Sequence, residues 1–133
     1  MPSGKNEWWR DAVIYQVYPR SFSDSNADGI GDIPGILNRV DYLANLGVDA
    51  IWISPFYDSP LLDGGYDVAD FRLVDPRLGE VADVKDLIQA GHAKGLKIFM
   101  DIVPNHTSSA HEWFQEVLNS EPGSPAWDRY VIK

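Results

Sequence analysis

Three clusters of polar residues in this chain have the types and spacing to do chemistry. The first closes an apolar run: Lys97-Ile-Phe-Met-Asp101-Ile-Val103 is stopped by Pro104, and Asn105 and His106 follow at once. A near-continuous apolar run entered from a Gly-terminated helix and closed by Pro reads as a parallel strand covered on both faces. Asn105 and His106 then project at its carboxyl end, where a parallel α/β barrel keeps its reacting groups. Asp101 stands inside the run. A buried carboxylate without a partner costs on the order of several kcal/mol, so Asp101 has to meet hydrogen-bond donors or a cation from elsewhere in the chain. His106 has three readings: a core histidine, a metal ligand, or a donor to a substrate. With no Cys and no HExxH spacing, zinc is not favoured.

The second cluster is Asp24-Ser-Asn26-Ala-Asp28-Gly-Ile30-Gly-Asp32. Oxygen-bearing side chains alternate, Gly29 allows the tight bend, and Ile30 can offer its main-chain carbonyl, as in the first part of an EF-hand calcium loop. Carboxylates brought together on a small radius repel unless a hard cation sits among them. The expected ion is Ca²⁺ first and Mg²⁺ second. Where the EF-hand has its closing bidentate Glu this chain has Gly35, which implies a weaker or more hydrated site. The plainer alternative is a solvated acidic turn in which Asp32 caps the following helix. The third cluster, Asp63-Gly-Gly-Tyr66-Asp67-Val-Ala-Asp70, sets an aromatic beside a carboxylate after a tight turn, a good receptor for a sugar. Taken alone such a stretch is more often an ordinary loop than a site. His92 and His111 are most simply solvated, Trp8 and Trp9 more simply cover a barrel end than bind sugar, and Ser108 and Ser109 lack the setting of a nucleophilic triad.

These clusters need elements to hold them. Ala12 to Tyr18 is β-branched and aromatic and ends at Pro19, which predicts a first strand. Ile33, Ile36, Leu37, Val40, Leu43 and Ala44 recur at helical spacing behind Asp32 and Pro34, and predict one helix closed by Gly47. Asp49 to Ser54 predicts a second strand, followed by a long loop to about Gly79. Val81, Val84, Leu87 and Ile88 predict a second helix closed by Gly95, and Lys97 to Val103 the third strand. Strands alternating with helices select a parallel sheet with right-handed crossovers. The loops leaving the strands are long and those entering them short, so one rim gathers the functional residues. After Pro104 the pattern changes to a short helix over Ala110 to Leu118 and an extended start from Trp127 to Ile132. Three parallel strands cannot close a barrel, and the chain therefore reads as a part of one.

The chain has 133 residues, no Cys, five Trp, six Tyr and a formal charge of -9. An acidic balance argues against nucleic acid or an anionic membrane surface as partners, because both are bound through basic footprints. No stretch is long and apolar enough to span a bilayer, and the first residues carry no apolar signal core. A cytoplasmic chain is expected, and the missing Cys agrees with a reducing compartment.

Together the pieces resemble the start of the α-amylase family of retaining glycoside hydrolases. Gln16-Val-Tyr-Pro-Arg-Ser-Phe22, the Asp24 to Asp32 loop, Gly65-Tyr66-Asp67-Val-Ala-Asp70 and Asp101-Ile-Val-Pro-Asn-His106 stand in the family's order and spacing. The wording is most similar to the α-glucosidase and oligo-1,6-glucosidase branch. The resemblance implies the first three βα units of a (β/α)8 TIM barrel over residues 1–103, and over 104–133 the start of the small domain inserted after the third strand. It implies that Tyr66 stacks on a terminal glucose, that Asp67 holds its hydroxyls and that His106 donates to the 6-hydroxyl. Asp101 is implied to orient the reacting centre, and Asp24, Asn26, Asp28, Ile30 and Asp32 to hold calcium. No organic cofactor is implied, and the oligomeric state stays open. The nucleophile and the acid/base of the family lie after its fourth and fifth strands, and no Asp or Glu here matches them. Sucrose isomerases and trehalose synthases share the same motifs. A catalytically silent relative that binds calcium or sugar, or partners a transporter, is the non-enzyme alternative.

Overall fold

A computed structural model describes residues 7–132 of the chain. Three short strands, β1 (Ile14–Val17), β2 (Ala50–Ile53) and β5 (Lys97–Met100), form one parallel sheet in the order β1-β2-β5. Gln16, Trp52 and Phe99 stand side by side across it, as do Tyr15, Ile51 and Ile98. Each strand is shorter than its apolar run. The ladder hydrogen bonds outlast the regular strands, since Ser54 N–H still donates to the Val17 carbonyl at 3.0 Å and Asp101 N–H to Ile53 at 3.2 Å.

One face of the sheet carries the core. Val17, Ile51 and Ile53 are buried there with Ile33, Ile36, Val40, Leu43, Val84 and Leu87 from the helices. At roughly 25 cal/mol per Å² of apolar surface removed from water, this layer supplies most of the drive to fold. The other face is open among the described residues. Ile14, Trp52, Phe99 and Met100 line an apolar hollow of about 290 Å³. The expectation of cover on both faces is therefore met on one face only. Trp8, in a 3-10 turn over Trp8–Arg10, stacks on Phe99 at 6.0 Å, while Trp9 is exposed.

The helix expected from Ile33 onward is two helices, α2 (Ile33–Leu37) and α3 (Val40–Asn45). At their junction Arg39 N–H bonds the carbonyl three residues back, Ile36, at 2.9 Å. That tighter turn re-aims the chain so that Ile33, Ile36, Val40 and Leu43 are all buried. Before them comes a single turn, α1 (Pro19–Phe22). The helix α4 (Val81–Ala93) matches its pattern. Glu80 N–H donates to the Asp83 carboxylate at 2.8 Å, and Gly95 follows at φ +79.

The stretch from Phe56 to Gly79 is more ordered than a loop. β3 (Tyr57–Asp58) and β4 (Asp70–Val74) pair antiparallel, with a register shift between Tyr57 and Asp58. A two-residue strand leaves no periodicity to read in sequence. At the far end α5 (Glu112–Leu118) forms as expected, but Trp127–Arg129 is a 3-10 turn where an extended start was expected. Its carbonyls are claimed locally, Arg129 N–H bonding Ala126 and Tyr130 N–H bonding Trp127, and only at Tyr130 does the backbone turn extended.

The tightest backbone contact lies at Gly35 in the first turn of α2. A Cβ built there would sit 1.9 Å from the Ser23 carbonyl oxygen and 2.9 Å from Asp32 Oδ1. Gly95→Ala meets open space and suffers only its positive φ. Gly35→Ala is expected to cost about 3 kcal/mol and Gly95→Ala about 1–2 kcal/mol. Thermal midpoints of the two variants check this, and equal drops would contradict the close approach of Ser23.

Candidate functional site

The carboxyl ends of β1, β2 and β5 meet the loop 59–67 and the segment after β5, and hydrogen bonds tie these pieces together. Asp101 follows β5 directly and is half-buried. Its carboxylate accepts from the Tyr66 hydroxyl at 2.9 Å, which is the partner its position demanded. Burial first, and then the Asp101 carboxylate, push the Tyr66 phenol up, so Tyr66 remains the donor. His106 is exposed, with Nε2 at 3.2 Å from the Tyr66 carbonyl and Nδ1 at 3.2 Å from the Asn105 amide nitrogen. A carbonyl only accepts, so Nε2 carries the proton and Nδ1 accepts from Asn105. Below them Ser108 N–H bonds the Val68 carbonyl at 2.8 Å, and from just past β1 the Tyr18 hydroxyl donates to the Gly64 carbonyl at 3.1 Å. Tyr66, Asp101 and His106 thus form one cluster.

Gly64 and Gly65 take φ +62 and +103, and a Cβ on Gly65 would lie 3.1 Å from the Pro55 carbonyl oxygen. Both conditions call for glycine.

Asp67 lies under this turn. It is buried, and its Oδ1 accepts from the Ser59 hydroxyl at 2.9 Å and Asp63 N–H at 3.0 Å, its Oδ2 from Leu62 N–H at 2.8 Å. Burial alone would raise its pKa, but the Asp63 and Leu62 N–H groups and the Ser59 hydroxyl outweigh it and hold the carboxyl below the usual range. Leu61 sits at φ +64, a strained setting for a non-glycine residue that these bonds hold in place. Asp67 is therefore committed to its own loop. Asp63, which the motif reading passed over, is exposed, and among the described residues no group bonds its carboxylate. The signal available in sequence was its place just before the Gly64-Gly65 turn.

The calcium-type loop folds around its own backbone. Asp24 accepts from Asn26, Ala27 and Gly29 N–H at 3.0, 2.7 and 2.8 Å, which holds its carboxyl below the usual range, the Gly29 bond foremost. Asp28 accepts from Ile30 N–H at 2.7 Å and from the Asn26 amide at 3.0 Å. Asp32 caps α2 through Gly35 N–H at 2.6 Å and binds the Ser25 hydroxyl at 2.8 Å. Among the described residues no three Asp, Glu, His or Cys side chains gather closely enough to hold a metal ion. The all-oxygen donor set suits a hard cation, but in this arrangement Asp32 serves as the helix cap that the plainer reading expected. His111 is a correction: it is buried rather than solvated. Its Nδ1 accepts from Trp113 N–H at 3.1 Å and caps α5, and its ring lies between Phe71 and Trp113 at 6.0 and 5.0 Å. His92 is exposed, as expected.

With this geometry in view, comparison with known proteins gives a coherent result. The Alpha-amylase family (alpha amylase, catalytic domain) matches residues 16–133. The chain belongs to the alpha-amylase family. It is 53% identical over 127 residues to an oligo-1,6-glucosidase of Heyndrickxia coagulans, covering 96% of this chain and 23% of that one. It is 51% identical over 131 residues to a trehalose synthase/amylase of Mycolicibacterium smegmatis, covering 98% of this chain and 22% of the other. Among solved structures, a MutB mutant in complex with the substrate sucrose superposes with a TM-score of 0.90 at 45% identity, over 96% of this chain and 23% of that one. The chain thus spans less than a quarter of the length of these relatives. Its sheet and helices are the first βα units of the family's TIM barrel, and the open sheet face is the one that looks into the barrel. No helix of the described residues is long and apolar enough to cross a membrane.

Two acids in one alpha-amylase loop thus have different duties, and pH separates them. The folded pKa of Asp67 is depressed, so its contribution to stability is present above the unfolded value of about 3.9 and is lost as pH falls through the folded one. Asp67→Asn is expected to lower the thermal midpoint at pH 7 and to flatten its fall below about pH 4, while Asp63→Asn stays within about 0.5 kcal/mol of wild type. An Asp67→Asn midpoint equal to wild type at pH 7 would remove the loop-holding role.

Proposed function

We propose that this chain is the glucose-recognising first part of an α-glucosidase that releases terminal α-linked glucose from oligosaccharides by retaining double displacement. The observation that carries the reading is the hydrogen-bonded cluster of Tyr66, Asp101 and His106 on the rim where the family's strands end. The names of the similar relatives support the same reading.

Each residue has a task its chemistry suits. The Tyr66 ring stacks on the apolar face of the sugar while its hydroxyl stays on Asp101. His106 presents Nε2–H, which rests on the Tyr66 carbonyl, to the 6-hydroxyl. Asp63, with its open carboxylate, accepts from sugar hydroxyls, and Asp67 keeps the turn beneath it in shape. Retaining hydrolysis needs two carboxyl groups about 5 Å apart as nucleophile and acid/base. We assign both to the remainder of the full-length protein. A second reading, isomerisation or transfer on the same glucose site, is favoured by the likeness to the trehalose synthase and to MutB. The cytosol is the compartment that the Cys-free sequence fits.

We further infer that the Asp24 to Asp32 loop binds Ca²⁺, with Asp24, Asn26, Asp28, Asp32 and the Ile30 carbonyl as donors. Support comes from the alternating oxygen donors and the hard-cation chemistry they share. Asp32 can keep Oδ1 on Gly35 and still turn Oδ2 from Ser25 to an ion.

The full-length protein is expected to hydrolyse a chromogenic α-glucoside, and residues 1–133 alone to be inactive. Hydrolysis by the short chain would overturn the mechanism, and sucrose isomerisation without net hydrolysis would establish the second reading. EDTA is expected to lower the thermal midpoint of the full-length protein and Ca²⁺ to restore it. An unchanged midpoint would leave the loop as an acidic turn with a helix cap.

A further inference from the structure

Neither the motifs nor the proposed sugar contacts use Tyr57, yet its hydroxyl donates to the main-chain carbonyl of Asp101 at 2.7 Å. That carbonyl lies just past β5, where the ladder to β2 has run out, so a side chain supplies the partner that a strand otherwise would. Asp101 is then held at three points: its N–H on the Ile53 carbonyl at 3.2 Å, its C=O on Tyr57, and its carboxylate on Tyr66 at 2.9 Å. The first two fix the backbone on either side of Cα, and so fix the direction in which the carboxylate leaves it.

Tyr57 is built as a stiff arm. Its ring stacks on Phe56 at 5.1 Å and lies against Phe71 at 5.7 Å. The register of β3 shifts at this residue, with Tyr57 opposite Val74 and Asp58 opposite Asp70. Such irregularities re-aim a side chain out of the regular alternation of a strand. Burial, and then the Asp101 charge, push the Tyr57 phenol up, which keeps it a donor.

We propose that Tyr57 is a positioning residue for the reaction: through the Asp101 carbonyl it sets the aim of the carboxylate that Tyr66 and the glucose site share. The inference rests on the proposed α-glucosidase activity.

The test uses the full-length enzyme with Tyr57→Phe, which keeps the ring and its stacking and removes one hydroxyl. The variant is expected to lose about three- to tenfold in kcat with KM changed by less than about twofold. In the double variant with Asp101→Asn, assayed at high enzyme concentration, the Tyr57→Phe loss is expected to vanish, because its target has already been disabled. Losses that multiply in the double variant overturn the inference, as does an unchanged kcat in the single one. A loss that disappears well below both thermal midpoints marks a folding effect and overturns it too. A wild-type full-length protein that does not hydrolyse α-glucosides overturns the proposed activity and this inference together, whereas the other outcomes leave the activity standing.

Discussion

A carboxylate partly withdrawn from water at the end of a strand has to be met by donors, and the site is arranged around that need at Asp101. Its carboxylate takes the Tyr66 hydroxyl, and its carbonyl takes the Tyr57 hydroxyl. These donors come from the start and the middle of the excursion between β2 and α4. Tyr57 stands at its start in β3 and Tyr66 beyond the Gly64-Gly65 turn. The requirement of one acid therefore folds the long connection back over the rim of the sheet. Leaving either group without a donor would cost on the order of 1–3 kcal/mol, comparable with the strain stored at Leu61 and in the turn.

The same connection is braced from below by a buried polar chain. Asp75 is fully buried and accepts from the Arg77 guanidinium, Nε donating at 2.8 Å. Arg77 also donates to the Ser59 carbonyl at 2.8 Å, and the Ser59 hydroxyl donates to Asp67. Asp67 in turn takes the N–H groups of Leu62 and Asp63. Among the described residues each buried carboxylate, Asp32, Asp67 and Asp75, meets donors, which is the condition under which such groups are tolerated. The brace leaves the Asp63 side chain exposed while fixing the backbone that carries it.

What the sequence made legible follows from which signals are local. The parallel strands and α4 showed themselves because apolar periodicity and Gly punctuation are properties of adjacent residues. The residues of the Tyr66, Asp101 and His106 cluster were legible through their motif order, and the need of Asp101 for a partner through the cost of burying charge. The identity of that partner was not, since Tyr66 lies 35 residues away and only the fold joins them. β3 was missed because two residues carry no period. The break between α2 and α3 was missed because the apolar spacing runs straight through it. A motif reports residue type and not direction, and the direction of the Asp67 carboxylate is set by Ser59, Leu62 and Asp63. The burial of His111 has no local signal, because Phe71 and Trp113 enclose it only once β4 and α5 have come together.

The open face of the sheet bears on the chemistry as well as on the packing. Phe99 and Trp52 point into the hollow that the alpha-amylase barrel would close, and Asp101 and Tyr66 sit at its carboxyl rim. Gln16, level with Trp52 and Phe99, donates to the Ser54 hydroxyl at 3.1 Å, so polarity begins at the edge of the apolar layer itself. Strands that cover the apolar layer also displace water from the rim above it. In a drier setting the bond between the Tyr66 hydroxyl and the Asp101 carboxylate is stronger, and an unpaired group there is more costly. Closing the barrel therefore tightens the pairing of Tyr66 with Asp101 by the same step that buries the hydrophobic face, and folding and site assembly share one driving force.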